Sequence, residues 1–453
     1  MSSFYKNALK SRKDFIFNFS IDFLLIIILF FSNKYFDLFS KDRNNYLIYF
    51  IFIWLVIGYI FGRFHNEEKS KKSLLINIFF KTFLLSICSV IITYIIFFLS
   101  GNTLLYNFEY SSEIYFISLW SLIFSGANYL IKNKFTNNLN QKKIWYFIGS
   151  KKVCKNLSNK IFELNNKLEL RHFNNKLNLR NLNKLKISGF CSDSFYKMSE
   201  DELKIFMNSK YINTSIISIQ RWCEIHLECI PPELISNAYI LRGNFLINKN
   251  IYTRFKKIAD ILVSIILLLL SSPVILLCSL MIYLEDQGSI FYSQKRIGLN
   301  GKPFTIYKLR SMRMDAEKEG PQWASQKDKR ITYIGKIIRK TRIDELPQLL
   351  CVIKGEMSLI GPRPERKEFE DQIEKEIPYY KIRHLIKPGL SGWAQVNYPY
   401  GASLKDAENK LSYDLFYIKN FSLFLDLIIF MKTIRLIANL RGSKPFKPKD
   451  DKN

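Results

Sequence analysis

Asp344 and Glu345 stand side by side, with Arg339, Lys340 and Arg342 just before them and Pro347 just after. Adjacent carboxylates among fixed cations suit phosphoryl chemistry. One carboxylate can attack phosphorus, its neighbour can hold a hard cation such as Mg²⁺, and guanidinium groups can bind diphosphate oxygens. The spacing also suggests where they sit. Leu346, Leu349, Leu350 and Ile353 recur at i, i+3, i+4 and i+7, which predicts one apolar helical face. Proline is tolerated in the first turn of a helix, so Pro347 places the pair at or just before a helix N-terminus. The helix dipole there favours ionised carboxylates. An isolated Asp-Glu pair is more often a helix cap than a reaction centre, so its surroundings have to decide.

Two neighbouring segments carry the same kind of chemistry. Arg363 lies between Pro362 and Pro364 and follows Gly361. Prolines on both sides fix the backbone and the aim of the side chain, and a rigid guanidinium suits a phosphate or a base edge. Lys308 and Arg310 follow a strand-like stretch, 304–307. Taken alone, the first is a rigid surface turn and the second is solvated charge.

The elements that must position these residues belong to a membrane protein. Of 453 residues, 48% are hydrophobic, with 38 Phe and 25 Tyr, yet the formal net charge is +28. That pairing fits nucleic acid, or else an anionic membrane surface with phosphate-bearing substrates. Four apolar runs, 15–31, 46–62, 82–100 and 114–131, decide for the lipid bilayer and against nucleic acid. Lys and Arg flank the bundle at both ends and between runs two and three, while 101–113 has none, so both ends face the cytoplasm. Seven Cys without a CxxC pair and four dispersed His argue against a disulfide framework or a zinc site.

Four regions follow. Residues 1–135 form a four-helix transmembrane bundle. Residues 144–250 form a cytosolic α/β domain, with strands at 144–148 and 214–219 and helical spacing through 155–186. Residues 254–441 carry the polar block, and 442–453 form a basic tail. Within the third region the apolar run 258–284 is interrupted by Ser271, Ser272 and Pro273. Both of its flanks are basic and want the cytoplasm. A re-entrant hairpin that turns at Ser272–Pro273 satisfies both, the Ser hydroxyls serving the backbone groups that Pro273 frees; the alternative is a kinked full span, which would put the basic domain outside the cell. The segment 369–384 is amphipathic and is expected to rest on anionic lipid.

Read in order, the motifs become specific. They are Phe255-Lys-Lys257-Ile-Ala-Asp260, Ser272-Pro273, Gln294-Lys-Arg296-Ile-Gly298, Tyr307-Lys-Leu-Arg-Ser-Met312, Asp344-Glu345-Leu-Pro-Gln348, Gly361-Pro-Arg-Pro364, Lys387-Pro-Gly-Leu-Ser-Gly-Trp-Ala-Gln395, Tyr413-Asp-Leu-Phe-Tyr-Ile-Lys-Asn420 and Leu425-Asp426-Leu427. Residues 254–441 therefore resemble the bacterial sugar transferase family of monotopic polyprenyl phosphosugar transferases. The four-helix front end and the middle domain resemble its long form, which primes exopolysaccharide, capsule or O-antigen synthesis.

The resemblance implies a mainly helical catalytic domain and a Rossmann-like middle domain. The latter is degenerate here, because Gly149-Ser150-Lys151-Lys152 lacks the further glycines of a phosphate loop. It implies transfer of sugar 1-phosphate from a UDP-sugar to undecaprenyl phosphate, at the cytoplasmic face of the bacterial inner membrane. Asp344 matches the nucleophile and Glu345 the Mg²⁺ ligand. Arg339 matches a phosphate-binding residue, with Lys308 and Arg310 beside it. Pro362, Arg363 and Pro364 match the nucleotide-binding element, and Asp426 matches a supporting acid. A homodimer is the assembly implied for the long form. Asp286-Gln287-Gly288-Ser289 and Ser391 depart from the family pattern at positions expected to lie away from the chemistry. A catalytically silent scaffold for polysaccharide assembly and a glycosyltransferase that moves only a sugar are the competing readings.

Overall fold

The computed structural model describes residues 143–438 apart from 165–167, 174–186, 194–214, 243–244, 246–250, 317–327, 399–400 and 402. The four apolar runs and the basic tail lie outside the described residues.

The chain from Lys143 onward forms one compact unit. It begins with β1 (Lys143–Ile148), α1 (Lys151–Leu164), β2 (Leu168–His172), β3 (Ile187–Ser192) and β4 (Ser215–Ser218). All four strands are parallel, in the order β2-β1-β3-β4. Trp145, Tyr146, Phe147 and Ile148 are all buried, as a central parallel strand covered on both faces requires. Of the helical spacing read through 155–186, the described residues give helix to Leu164 and a strand at Leu168–His172, and 174–186 lie outside them. Leu168 and Leu170 then turn inward with a period of two, and the segment is a strand.

Helix α2 (Ile219–His226) is capped by the Ser218 hydroxyl, which accepts from the Arg221 N–H. Helix α3 (Asn237–Arg242) leads out of this region. The region is fastened to the rest of the unit. The Ile230 N–H donates to the Ser412 carbonyl at 2.8 Å, Trp393 Nε1 donates to the Glu228 carbonyl at 2.9 Å, and Lys419 pairs with Glu224 at 2.5 Å.

Helix α4 (Ile251–Asp286) runs for 36 residues and stays helical through Ser272 and Pro273. The sequence reading expects a turn there, and the side chains explain the continuity. Pro273 has no N–H for the Leu269 carbonyl four residues back; the Ser272 hydroxyl donates to that carbonyl instead, at 2.8 Å. Both ends of α4 seat on the same folded body. Near its start, Lys256 pairs with Asp426 at 2.8 Å and Asp260 accepts from the Ser358 hydroxyl at 2.6 Å. Near its end, Cys278 and Ile282 pack with Leu309 and Ile338. The middle is bare, with Leu269, Leu270 and Leu276 exposed. By length and composition α4 is a candidate membrane segment.

An antiparallel hairpin follows, β5 (Phe291–Ile297) and β6 (Pro303–Leu309), with Tyr292 opposite Lys308. Helix α5 (Tyr333–Thr341) starts where the Thr332 side chain accepts from the Gly335 N–H, and the Glu285 carboxylate accepts from the Tyr333 N–H at 2.8 Å. A 3₁₀ turn, Ile343–Gln348, leads into the short α6 (Leu349–Ile353). Then come β7 (Ser358–Ile360), α7 (Lys367–Glu376), β8 (Gly389–Ser391) parallel to β7, α8 (Trp393–Asn397), α9 (Leu404–Lys419) and α10 (Leu423–Ala438).

Two amphipathic readings change. In the 344–353 segment Leu349, Cys351 and Val352 are buried while Leu350 is exposed, so the buried face is not the one expected. A 3₁₀ turn has three residues per turn, and running it into five α residues breaks the 3.6 period. In 369–384 the residues Ile373, Ile377 and Tyr380 are buried against the body, so its apolar face is not left for lipid.

Candidate active site

Arg342 is the hinge that presents the carboxylate pair. It ends α5 in the left-handed conformation, φ 62 and ψ 16, and starts the 3₁₀ turn. A non-glycine residue there costs on the order of 1 kcal/mol. The reversal swings Asp344 and Glu345 into the body beside β6, and both are buried, 8% exposed.

Three segments converge on Glu345. Lys308 from β6 reaches its Oε1 at 3.2 Å, Arg363 reaches the same oxygen at 2.6 Å, and Arg342 reaches Oε2 at 3.4 Å. Burial alone would raise the pKa of Glu345. The Arg363, Lys308 and Arg342 charges outweigh it and hold the carboxyl well below the usual carboxylate range. Lys308 is itself lowered by burial, against the pull of Glu345.

Asp344 fares differently. Burial first, and the neighbouring Glu345 charge second, push its pKa up to about 6, against Lys308, Arg339 and Arg342. At Asp344 this desolvation works against the ionised form that a helix N-terminus is expected to favour. Its Oδ1 is buried with no hydrogen-bond partner in the described structure, and so is Gln348 Nε2, four residues on. A buried polar atom without a partner leaves room for a water, an ion or a substrate group to complete its hydrogen bonds.

The structure thus gathers Asp344, Glu345, Lys308, Arg342 and Arg363, with Arg339 on the last turn of α5 acting on Asp344 through space. Pro362, Arg363 and Pro364 line a cleft with Ile297, Gly298, Glu365, Arg383, His384, Ile386 and Pro388. Two expected members have other partners in the described contacts. Arg310, 6% exposed, grips Asp286 through both of its terminal nitrogens, the longer contact being 2.9 Å, and so ties β6 to the end of α4. Asp426 accepts from Lys256 at 2.8 Å, Tyr252 at 2.9 Å and Tyr417 at 2.6 Å, at the foot of α4. Arg383 and Arg296 support the Pro-Arg-Pro segment; Arg296 stands in the Gln294–Gly298 motif, but motif reading makes neither a site residue, because the carbonyls they hold lie 20 and 68 positions away in sequence.

Two hard carboxylates, one with a free buried oxygen, form a donor set that fits Mg²⁺, an ion that keeps water and substrate phosphate as its other ligands. Among the described residues no three His, Cys, Asp or Glu side chains gather as an all-protein metal cage.

A family model described as bacterial sugar transferase matches residues 251–439. The chain is similar to a UDP-N-acetylgalactosamine-undecaprenyl-phosphate N-acetylgalactosaminephosphotransferase of Aeromonas hydrophila, 48% identical over 199 residues. That stretch is 44% of this chain and 47% of the Aeromonas protein, so the chain spans about half the length of that relative. It is also similar to a UDP-glucose:undecaprenyl-phosphate glucose-1-phosphate transferase of Caulobacter vibrioides, 39% identical, covering 40% of this chain and 68% of the other. A Bacillus subtilis protein called uncharacterized sugar transferase EpsL is 39% identical, covering 41% of this chain and 89% of the other.

Proposed function

The chain belongs to the bacterial sugar transferase family, and from that premise we propose that it transfers sugar 1-phosphate from a UDP-sugar to undecaprenyl phosphate. One observation carries the reading. Glu345 absorbs three cations while Asp344, beside it, keeps a buried carboxylate oxygen open.

In the first step an ionised Asp344 oxygen attacks the phosphorus bonded to the sugar. The bond from that phosphorus to the bridging oxygen breaks, and UMP leaves with the electron pair. The phosphosugar is then held as an acyl phosphate on Asp344. In the second step an oxygen of undecaprenyl phosphate attacks the same phosphorus and expels the Asp344 carboxylate, giving undecaprenyl-diphosphate-sugar. Arg363 and Lys308 supply positive charge where the diphosphate lies, with Arg339 and Arg342 on the α5 side. Mg²⁺ held at Glu345 would add charge neutralisation at the departing phosphate.

The exposed apolar middle of α4 supports a reaction at the bilayer surface. Two ends seated on one body and a bare apolar middle suit a re-entrant element that dips into the cytoplasmic leaflet. Such a helix keeps the site at the level of the carrier's phosphate on the cytoplasmic face of the inner membrane. We read 1–135 as four membrane helices and 144–250 as a Rossmann-like support, the long form that initiates an exported polysaccharide as a homodimer. Among donors, UDP-N-acetylgalactosamine goes first on the panel, because the relative named for it is 48% identical and the Caulobacter relative named for UDP-glucose is 39% identical.

The test is UMP release by the purified chain with Mg²⁺, undecaprenyl phosphate and a UDP-sugar panel, beside Asp344→Asn. Label on the phosphate next to the sugar should move to the lipid. Label retained as UDP would mean that only the sugar moves.

A further inference from the structure

Arg363 can meet Glu345 only if the backbone beneath it is held still. Residues 360–365 form a strap whose carbonyls are gripped almost one after another. Ile360 O accepts from the Tyr417 hydroxyl at 3.2 Å, and Pro362 O from the Gly389 N–H at 2.8 Å. Arg363 O accepts from Arg383 Nη2 at 2.7 Å, Pro364 O from Arg296 Nη1 at 3.2 Å, and Glu365 O from the Ile297 N–H at 3.1 Å. Gly361 sits so close to the 387–389 chain that an added Cβ would lie 2.4 Å from the Lys387 carbonyl. The flanking prolines fix φ, but they have no N–H and cannot anchor themselves.

Two of the holders are guanidiniums, Arg383 buried and Arg296 partly buried. Arg383 pairs with buried Asp414 at 3.0 Å and donates to the Tyr380 hydroxyl at 2.6 Å. Arg296 pairs with Glu365 at 3.6 Å. A buried arginine is tolerated only when its charge and its N–H groups are answered. Asp414 answers the charge of Arg383 and leaves the same fork free to hold the Arg363 carbonyl. Neither arginine touches Glu345 or Asp344 in the described contacts.

We propose that Arg383, braced by Asp414, is a positioning residue for the transfer reaction: it acts through the Arg363 carbonyl and sets the aim of that guanidinium at Glu345. Arg296 does the same one residue further on. The proposal rests on the sugar-phosphate transfer reading, since that reading makes the aim of Arg363 matter.

The test is a double-mutant cycle on the full chain in detergent, with UMP release and hydrogen exchange measured on each protein. Arg383→Ala should lower kcat/KM by on the order of 10- to 100-fold, as a small misplacement of a charged group does. It should also speed exchange at the Gly361, Arg363 and Glu365 amides. In an Arg363→Ala background it should cost almost nothing further, because the residue it acts through is gone. Arg383→Lys keeps the charge on Asp414 but not the fork, so it should fall between; it replaces the alanine variant in the cycle if that protein fails to melt cooperatively. An equal loss with and without Arg363, or unchanged exchange over 360–365, overturns the proposal. A natural chain that releases no UMP from any donor overturns the transfer reading, and the exchange measurement still decides whether Arg383 holds the strap.

Discussion

Glu345 and Asp344 are adjacent carboxylates that titrate in opposite directions. Three cations hold Glu345 well below its ordinary range, while burial and that fixed Glu345 charge raise Asp344 to about 6. The pair has one permanent anion and one carboxyl poised near neutrality, an arrangement that separates two roles.

The pH profile follows from this. Protonated Asp344 cannot attack phosphorus, so the rate should fall as pH drops through about 6 and reach a plateau above it. Initial rates of UMP release from pH 5 to 9 check this. A flat profile down to pH 5 would mean that Asp344 is not the group that must ionise.

Stability carries the opposite sign. A carboxyl raised in the folded state contributes stability that is full below its unfolded pKa of 3.8 and is lost as pH rises through about 6. Asp344→Asn should therefore abolish UMP release yet raise Tm, and by more at pH 8 than at pH 5. Thermal unfolding at the two pH values gives the comparison.

Lys308 is one of the groups that lowers Asp344. Lys308→Met removes that help, so the acidic limb of the rate profile should move to higher pH. An unmoved limb with a reduced plateau would instead assign Lys308 to the substrate phosphates alone.

Arg310 and Asp286 tie β6 to the end of α4. Arg310→Ala should cost roughly 1–3 kcal/mol of stability, below the full range for a buried pair because Asp286 is partly exposed. The KM for the donor should hold in the folded fraction. A raised KM at unchanged Tm would return Arg310 to the phosphate site.

Ser272 and Pro273 are coupled through one carbonyl. Ser272→Ala removes the donor to Leu269 and should cost roughly 1–3 kcal/mol in a bilayer disc. With Pro273→Ala the ordinary N–H returns to that carbonyl, and the serine change should then cost almost nothing. Equal costs in both backgrounds would mean that the hydroxyl does not serve the freed carbonyl.

Chemistry-bearing residues are written locally. The Asp-Glu pair, the Pro-Arg-Pro element and the strand at 144–148 depend on neighbours within a few positions, so their types and spacing could be read, whereas the turn expected at Ser272–Pro273 is continuous helix. The assignment of partners could not. Lys308 lies in β6 and Arg310 just past its end, two residues on, yet they take different partners, Glu345 and Asp286. The apolar period at 346–353 misled because a 3₁₀ turn runs into a helix with a different repeat. The 369–384 face found a protein partner where lipid was expected. Burial raised Asp344 against the helix dipole, and burial belongs to the packed body rather than to the local chain. The grip of Arg383 and Arg296 on the strap joins residues 20 and 68 positions apart. Local covalent order determined which groups this protein has for chemistry; only long-range packing, which sets dielectric and hydrogen-bond partners, decided which of them meet.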